Sequence, residues 1–294
     1  MYSQTFRFES PKATMMRRSL HYVIRVGNLM DSLCFYVGTL GMRVLRHEEF
    51  SQGCKATCNG PFGGKWSKTM VGYGPEDDHF VLEVVYNYGI SSYNLGNFHG
   101  GFGIESREAF AKVRAAGAQP DASGVATVLD PNGYTFLISN AEAKDPFRKV
   151  ILKVQNLNAS RRYYEEILRL KSTSLTNDSV CLSFSDDQSS LQLVDLGSEK
   201  FDAGDGCGRT AFACPTEELA AIESAVKQGG YKILTNLTDL DTPGKATVSV
   251  VILADPDGHE ICWVGDENYR ALSKWEPETE LVWKKKVDEA MALS

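Results

Sequence analysis

VGNLMDSLCFYVGTLGM, residues 26–42, and VQNLNASRRYYEEILRL, residues 154–170, decide how this chain folds. They match at a constant offset of 128: Val26, Asn28, Leu29, Ser32, Tyr36 and Leu40 correspond to Val154, Asn156, Leu157, Ser160, Tyr164 and Leu168. DPNGY at Asp130 matches DPDGH at Asp255 with an offset of 125, so nearly the same spacing recurs at the far end of each half. Such self-similarity marks a tandem duplication. Each half divides again, because HGGFGIESREAF from His99 and RTAFACPTEELA from Arg209 follow the same scheme of a short strand and then a helix. Four modules result.

The first module shows their content. LHYVIRV (residues 20–26) is β-branched and aromatic, as strands are, and residues 31–40 have helical spacing that Gly41 ends. MRVLRHEEF, KTMVGYG and HFVLEVVYNY then read as strands, separated by a Gly-rich insertion (Ser51 to Trp66) and the turn PEDD. The module is β-α-β-β-β, and the second repeats it in compressed form. The predicted fold class is α+β: four βαβββ modules paired into two cupped mixed-sheet domains. The predicted divisions are a flexible segment at 1–15, domains at 16–145 and 146–266, and a helical tail at 267–294.

A length of 294 residues allows two domains with ample core. Thirty-one basic against 38 acidic side chains give a net charge of −7, which argues against a nucleic-acid partner. No apolar run approaches the ~20 residues that span a bilayer, so no membrane role is expected. The seven cysteines are irregularly spaced and read as reduced thiols of an intracellular protein. The basic N-terminus, with Arg7, Lys12, Arg17 and Arg18 against Glu9, faintly resembles a mitochondrial presequence. The expected location is cytoplasmic or mitochondrial.

Strand alternation places the candidate chemistry. On the first strand Leu20, Tyr22, Ile24 and Val26 form the core face, leaving His21, Val23 and Arg25 on the concave face. Glu83 shares its face with Val81 and Val85, where a carboxylate must be exposed, paired, protonated or bound to a cation. One available pairing is a salt bridge to Arg25. At the next strand His99 shares its face with Gly101 and Gly103, while Phe102 and Ile104 point to the core. Two histidines and one glutamate at repeat-related positions form a candidate metal site. The DPNG and DPDG segments read as ordinary turns, and Glu260 as solvated. In the insertion, Lys55, Lys65 and Lys68 could hold carboxylates of a ligand that Trp66 covers, or the loop could be a plain hairpin.

The fourfold module, with His21 on a first strand, Glu83 on a last strand and DPDGHE closing the final module, resembles the vicinal oxygen chelate superfamily, which includes glyoxalase I and the extradiol dioxygenases. The resemblance covers residues 16–275. It implies a cupped sheet whose floor binds a divalent metal (Zn, Ni or Mn), with glutathione as co-substrate, a small-molecule substrate and, as a further option, a protein partner. The ligand positions it assigns are His21 and Glu83 in the first module, His99 and Leu137 in the second, Lys149 and Gln192 in the third, and Arg209 and Cys262 in the fourth. Pairing of the first module with the second gives a His21, Glu83, His99 site. Pairing with the fourth leaves His21 and Glu83 beside an arginine. The activity implied is metal-dependent isomerisation of the glutathione hemithioacetal of methylglyoxal or a related α-oxoaldehyde, with Glu83 moving the proton and Arg25, Lys65, Trp66 and Lys68 around the substrate. A catalytically silent binder of a small anion or a protein is the alternative, and a dioxygenase a less favoured one. In the second half Lys149, Lys153, Gln192 and Arg209 are expected to converge into an anion pocket.

Overall fold

The computed structural model describes residues 16–242 and 244–293. The flexible or presequence-like segment expected at 1–15 lies outside the described residues.

The first module runs β1 (Arg18–Arg25), α1 (Leu29–Leu33, prolonged by a π-helical turn over Cys34–Thr39), β2 (Arg43–Phe50), β3 (Trp66–Gly72) and β4 (Val81–Asn87). The second is β5 (His99–Ser106), α2 (Arg107–Ala115), β6 (Val125–Leu129) and β7 (Thr135–Ser139), one strand short of the others. The third is β8 (Glu142–Val154), α3 (Leu157–Arg162, with a π-helical turn over Tyr163–Ile167), β9 (Lys171–Leu175), β10 (Ser179–Ser183) and β11 (Ser190–Asp195). The fourth is β12 (Cys207–Cys214), α4 (Leu219–Gln228), β13 (Ile233–Leu240), β14 (Val248–Ala254) and β15 (Glu260–Gly265), followed by α5 (Asp266–Leu272) and α6 (Pro277–Ala292).

The modules make two mixed sheets, one ordered β13-β14-β15-β12-β1-β4-β3-β2 and the other β6-β7-β5-β8-β11-β10-β9. The first module therefore pairs with the fourth, through antiparallel β1 and β12, and the second with the third, through β5 and β8. Each junction satisfies the free edge of a module's first strand. The cups do not follow the halves of the chain, and β8 crosses Asp145 and Pro146 unbroken.

The duplicated residues do one structural job twice. Asn28 and Asn156 cap α1 and α3 by accepting from the amides of Met30 and Asp31 and of Ala159. The Asp130 carboxylate accepts from the amides of Asn132 and Tyr134, both at 2.8 Å, and Asp255 from those of Asp257 and His259, at 3.0 and 2.9 Å. Tyr36 donates to Asp130 and Tyr164 to Asp255. Each repeated helix is thus tied to the repeated turn of the following module. One apolar cluster holds Tyr22, Ile24 and Val84 of one sheet together with Phe102, Ile104 and Phe136 of the other, so the convex faces pack across the helices and the concave faces turn away. The tail covers an edge: α6 lies along β2, buries Val287 completely, and its Glu280 accepts from Arg43 at 2.7 and 2.9 Å.

Two register shifts correct the strand-face reading. A shift between Ser19 and His21 moves Leu20 out of the main core and onto the concave side, against Ala211 and Leu272. A second, between His99 and Gly101, flips His99 to the core face. Gly100 has no room for a side chain, since a Cβ there would stand 2.6 Å from Ile151, and Gly101 has a φ of +129°.

Candidate functional site

The floor of the first cup is built from register. His21 on β1 lies opposite Ala211 on β12, which lies opposite Cys262 on β15, while Val23 lies beside Glu83 on β4. His21, Glu83, Arg209 and Cys262 all line one cavity of about 450 Å³. Its walls include Phe50 and Trp66, stacked at 4.2 Å, and the loop that follows β2. Cys54 and Cys58 are disulfide-bonded in that loop, which corrects the expectation of free thiols; the other five cysteines are free.

Behind the floor lies a buried charge network. The Glu76 carboxylate sits 2.6 Å from His21 Nδ1 and also accepts from the Tyr269 hydroxyl at 2.8 Å and from Arg46 at 3.3 Å. Burial opposes the ionisation of Glu76, but the charges of His21 and Arg46 and the bond from Tyr269 outweigh it and hold its carboxyl below the ordinary range. An ionised carboxylate only accepts, so Nδ1 carries the proton and Nε2 is the edge that meets the cavity, 3.5 Å from Glu83 Oε2. Arg46 is fixed in turn by Glu48 at 3.1 Å. Burial also opposes the charge on Glu48, yet Lys68, Arg46 and Lys245 pull its carboxyl down to about 2.

The donor set does not fit a metal ion. Among the described residues no three ligating side chains converge. His21 and Glu83 supply two donors, but Arg209 stands at the third floor position, and a guanidinium has no lone pair to give. Burial pushes the Cys262 thiol up to about 11, against the pull of Arg209, so it stays protonated. The expected Zn, Ni or Mn centre of His21, Glu83 and His99 is therefore not assembled. His99 is on the second sheet, packed on Tyr22 and Phe102 at ring distances of 5.2 and 4.5 Å, and its Nε2 is buried without a partner. Burial drives its pKa down to about 3.

The other expected site residues divide. Trp66 and Lys68 line the cavity, with Trp66 donating to Gln52 O at 2.9 Å and Lys68 3.3 Å from Glu48. Lys65 lies outside, over the Tyr88 ring at 4.2 Å. Arg25 neither meets Glu83 nor faces this cavity. It donates to the carbonyls of Asn59, Asp205 and Cys207 and lines a separate space of about 330 Å³. The anion pocket is not formed: Lys149 and Lys153 share a face of β8 and Gln192 lies beside it on β11, whereas Arg209 is on the first sheet, 2.9 Å from Glu260. Glu260 is thus an ion-pair partner, not a solvated bystander. Glu76 and Tyr269 were invisible to sequence reasoning, because an acid in PEDD reads as turn solvation; the one available signal was its position at the entry to the Glu83 strand.

Comparisons with known proteins agree with this geometry. Residues 18–148 match the family model of the Glyoxalase/Bleomycin resistance protein/Dioxygenase superfamily, and residues 156–272 that of the Glyoxalase domain-containing protein 4-like C-terminal domain. The chain is 47% identical to rat Glyoxalase domain-containing protein 4, over 94% of this chain and 93% of that one, and 43% identical to Glyoxalase 1 of Caenorhabditis elegans, over 93% and 97%. A glyoxalase I structure from Zea mays, the V278E mutant, superposes with a TM-score of 0.73 at 25% identity, covering 86% of this chain and 94% of that one. With the repeat, the paired cups and these relatives in agreement, the chain belongs to the Glyoxalase/Bleomycin resistance protein/Dioxygenase superfamily.

Proposed function

We propose that this chain isomerises the hemithioacetal of glutathione and methylglyoxal, or of a related α-oxoaldehyde, to the corresponding 2-hydroxyacyl thioester. The observation that carries the reading is the pair of Glu83 and His21 Nε2 at the cavity floor, 3.5 Å apart and backed by Glu76. Kinship with proteins named glyoxalase supports the substrate class.

The reaction needs a base beside the carbon that bears sulfur and hydroxyl. Glu83 takes that C–H proton, the electron pair moves into an enediolate, and the proton returns to the neighbouring carbon while the hydroxyl proton passes between the two oxygens. The sum is an isomerisation with no redox partner. The floor residues do not draw Glu83 into a metal site, which leaves it free for this task, with His21 Nε2 3.5 Å from it. Lys55 and Lys68 at the cavity wall offer charge to the carboxylates of glutathione, and Phe50 and Trp66 an apolar face to its carbon chain.

Replacement of two floor positions by Arg209 and Cys262 favours a second reading, a catalytically silent binder of small anions. The discriminating experiment measures S-lactoylglutathione formation by the chelator-treated chain, alone and with added Zn, Ni or Mn. Product above background, reduced about 10²- to 10⁴-fold in Glu83→Gln, is expected. No product under any of these conditions leaves the binder.

A further inference from the structure

Arg209 is an unexplained charge in this cavity. Its side chain is 5% exposed, yet only one nitrogen is accounted for: Nη2 donates to Thr57 O at 3.0 Å and Thr57 Oγ1 at 3.1 Å and lies 2.9 Å from Glu260. Nε is buried and has no acceptor. A buried N–H left unpaired is costly, and one on a guanidinium more so. The clamp on Nη2 explains why the group stays in place rather than turning to satisfy itself. Thr57 is itself held in the left-handed region, with a φ of +53°, inside the ring closed by Cys54 and Cys58. Arg209, Glu83 and Cys262 line the same cavity.

We propose that Arg209 is the electrophile of this cavity: its guanidinium donates to an oxyanion of the bound ligand at the floor position where the module repeat would otherwise supply a metal donor, so that the anion is held without a divalent ion. The ligand class is a small molecule with an enediolate or carboxylate oxygen. The assignment rests on the proposed isomerisation for the identity of that oxygen, which is the enediolate oxygen formed when Glu83 removes the proton. A guanidinium beside developing negative charge stabilises the enediolate more than the neutral substrate, which is what lowers a barrier. Glu260 and Thr57 then act as positioning residues.

Two titrations of the full chain, stripped by chelator, test this without any turnover. Oxalate, a planar dianion with cis oxygens, is expected to bind one per chain and to weaken about 10- to 100-fold, the worth of a hydrogen bond to a charged group, in both Arg209→Gln and Arg209→Lys. The lysine variant keeps the charge opposite Glu260, so its fold is preserved while the remaining N–H donors of the guanidinium are lost. Oxalate binding unchanged in the folded lysine variant overturns the proposal. In the second titration, zinc is expected to find no Glu83-dependent site in the wild type, to gain one in Arg209→His, and to lose it again in Arg209→His/Glu83→Gln. A Glu83-dependent zinc site in the wild type overturns the proposal, as does its absence from a folded Arg209→His. If the lyase assay fails while both titrations succeed, Arg209 remains an anion site of a silent binder. If the assay succeeds and the titrations fail, the isomerase stands and only the role of Arg209 falls.

Discussion

At the scale of single residues, the cavity depends on a carboxylate that never touches it. Glu76 compensates Arg46, orients His21 and accepts from Tyr269, all out of water. Glu76→Gln keeps the shape and removes the charge, and loss of one partner of a buried pair costs about 3–5 kcal/mol. The expected outcome is a chain of lower melting temperature, an activity reduced about 10- to 100-fold by analogy with other groups that orient a histidine, and partial recovery in Glu76→Asp. His99 gives a pH prediction. Its folded pKa, about 3, lies below the ordinary 6.5, so the unfolded chain binds the proton first. Stability from this group is therefore full above pH 6.5 and falls with acid towards pH 3, by at most about 1.4 kcal/mol per pH unit. Denaturant titrations at several pH values should show a shallower acid slope in His99→Leu than in the wild type. His21 and Glu83 were legible in the sequence because strand alternation put both on one face. His99 was misread because a register shift is a backbone event that Gly100 and Gly101 permit but do not announce.

At the scale of elements, the first helix was legible from its spacing and from Gly41, which ends it, and the two DPxG turns from their residue types. The insertion after β2 was legible as a loop but not as a closed one. Cys54 and Cys58 are four apart, a spacing that no metal or redox pattern marks, and only the fold brings them together against the cavity. Their small ring constrains the unfolded chain by about 2 kcal/mol in the loop-entropy treatment. Cys54→Ser/Cys58→Ser should therefore lower the unfolding free energy by about that amount. It should also weaken oxalate binding, because Thr57 is no longer held under Arg209. Unchanged binding by calorimetry would separate the loop from the site. The tail was legible as helical, and its second helix lies along the edge strand β2.

At the scale of the molecule, the duplication was legible from two offsets, but the choice of partner for each module was not. A repeat states that edges are alike and leaves open which edges meet. Here β1 meets β12, so His21 and Glu83 from one half face Arg209 and Cys262 from the other. A fragment of residues 1–148 then carries half of each sheet, is cut within β8, and exposes the edges of β1 and β5. Expressed alone it should lack a cooperative thermal transition, and mixing it with residues 149–294 should restore one. A fragment that unfolds cooperatively by itself would show that the halves are the folding units.

The central claim is that the ligand binds in the cup shared by the first and fourth modules. Nuclear magnetic resonance reads this directly when S-lactoylglutathione is titrated into chelator-treated protein and the imidazole signals of His21 and His99 are followed together with the Nε–H of Arg209. The signals of His21 and Arg209 should move with one common dissociation constant while those of His99 stay still. Movement at His99, or at Lys149 and Lys153 on the second sheet, with His21 and Arg209 unchanged would contradict it.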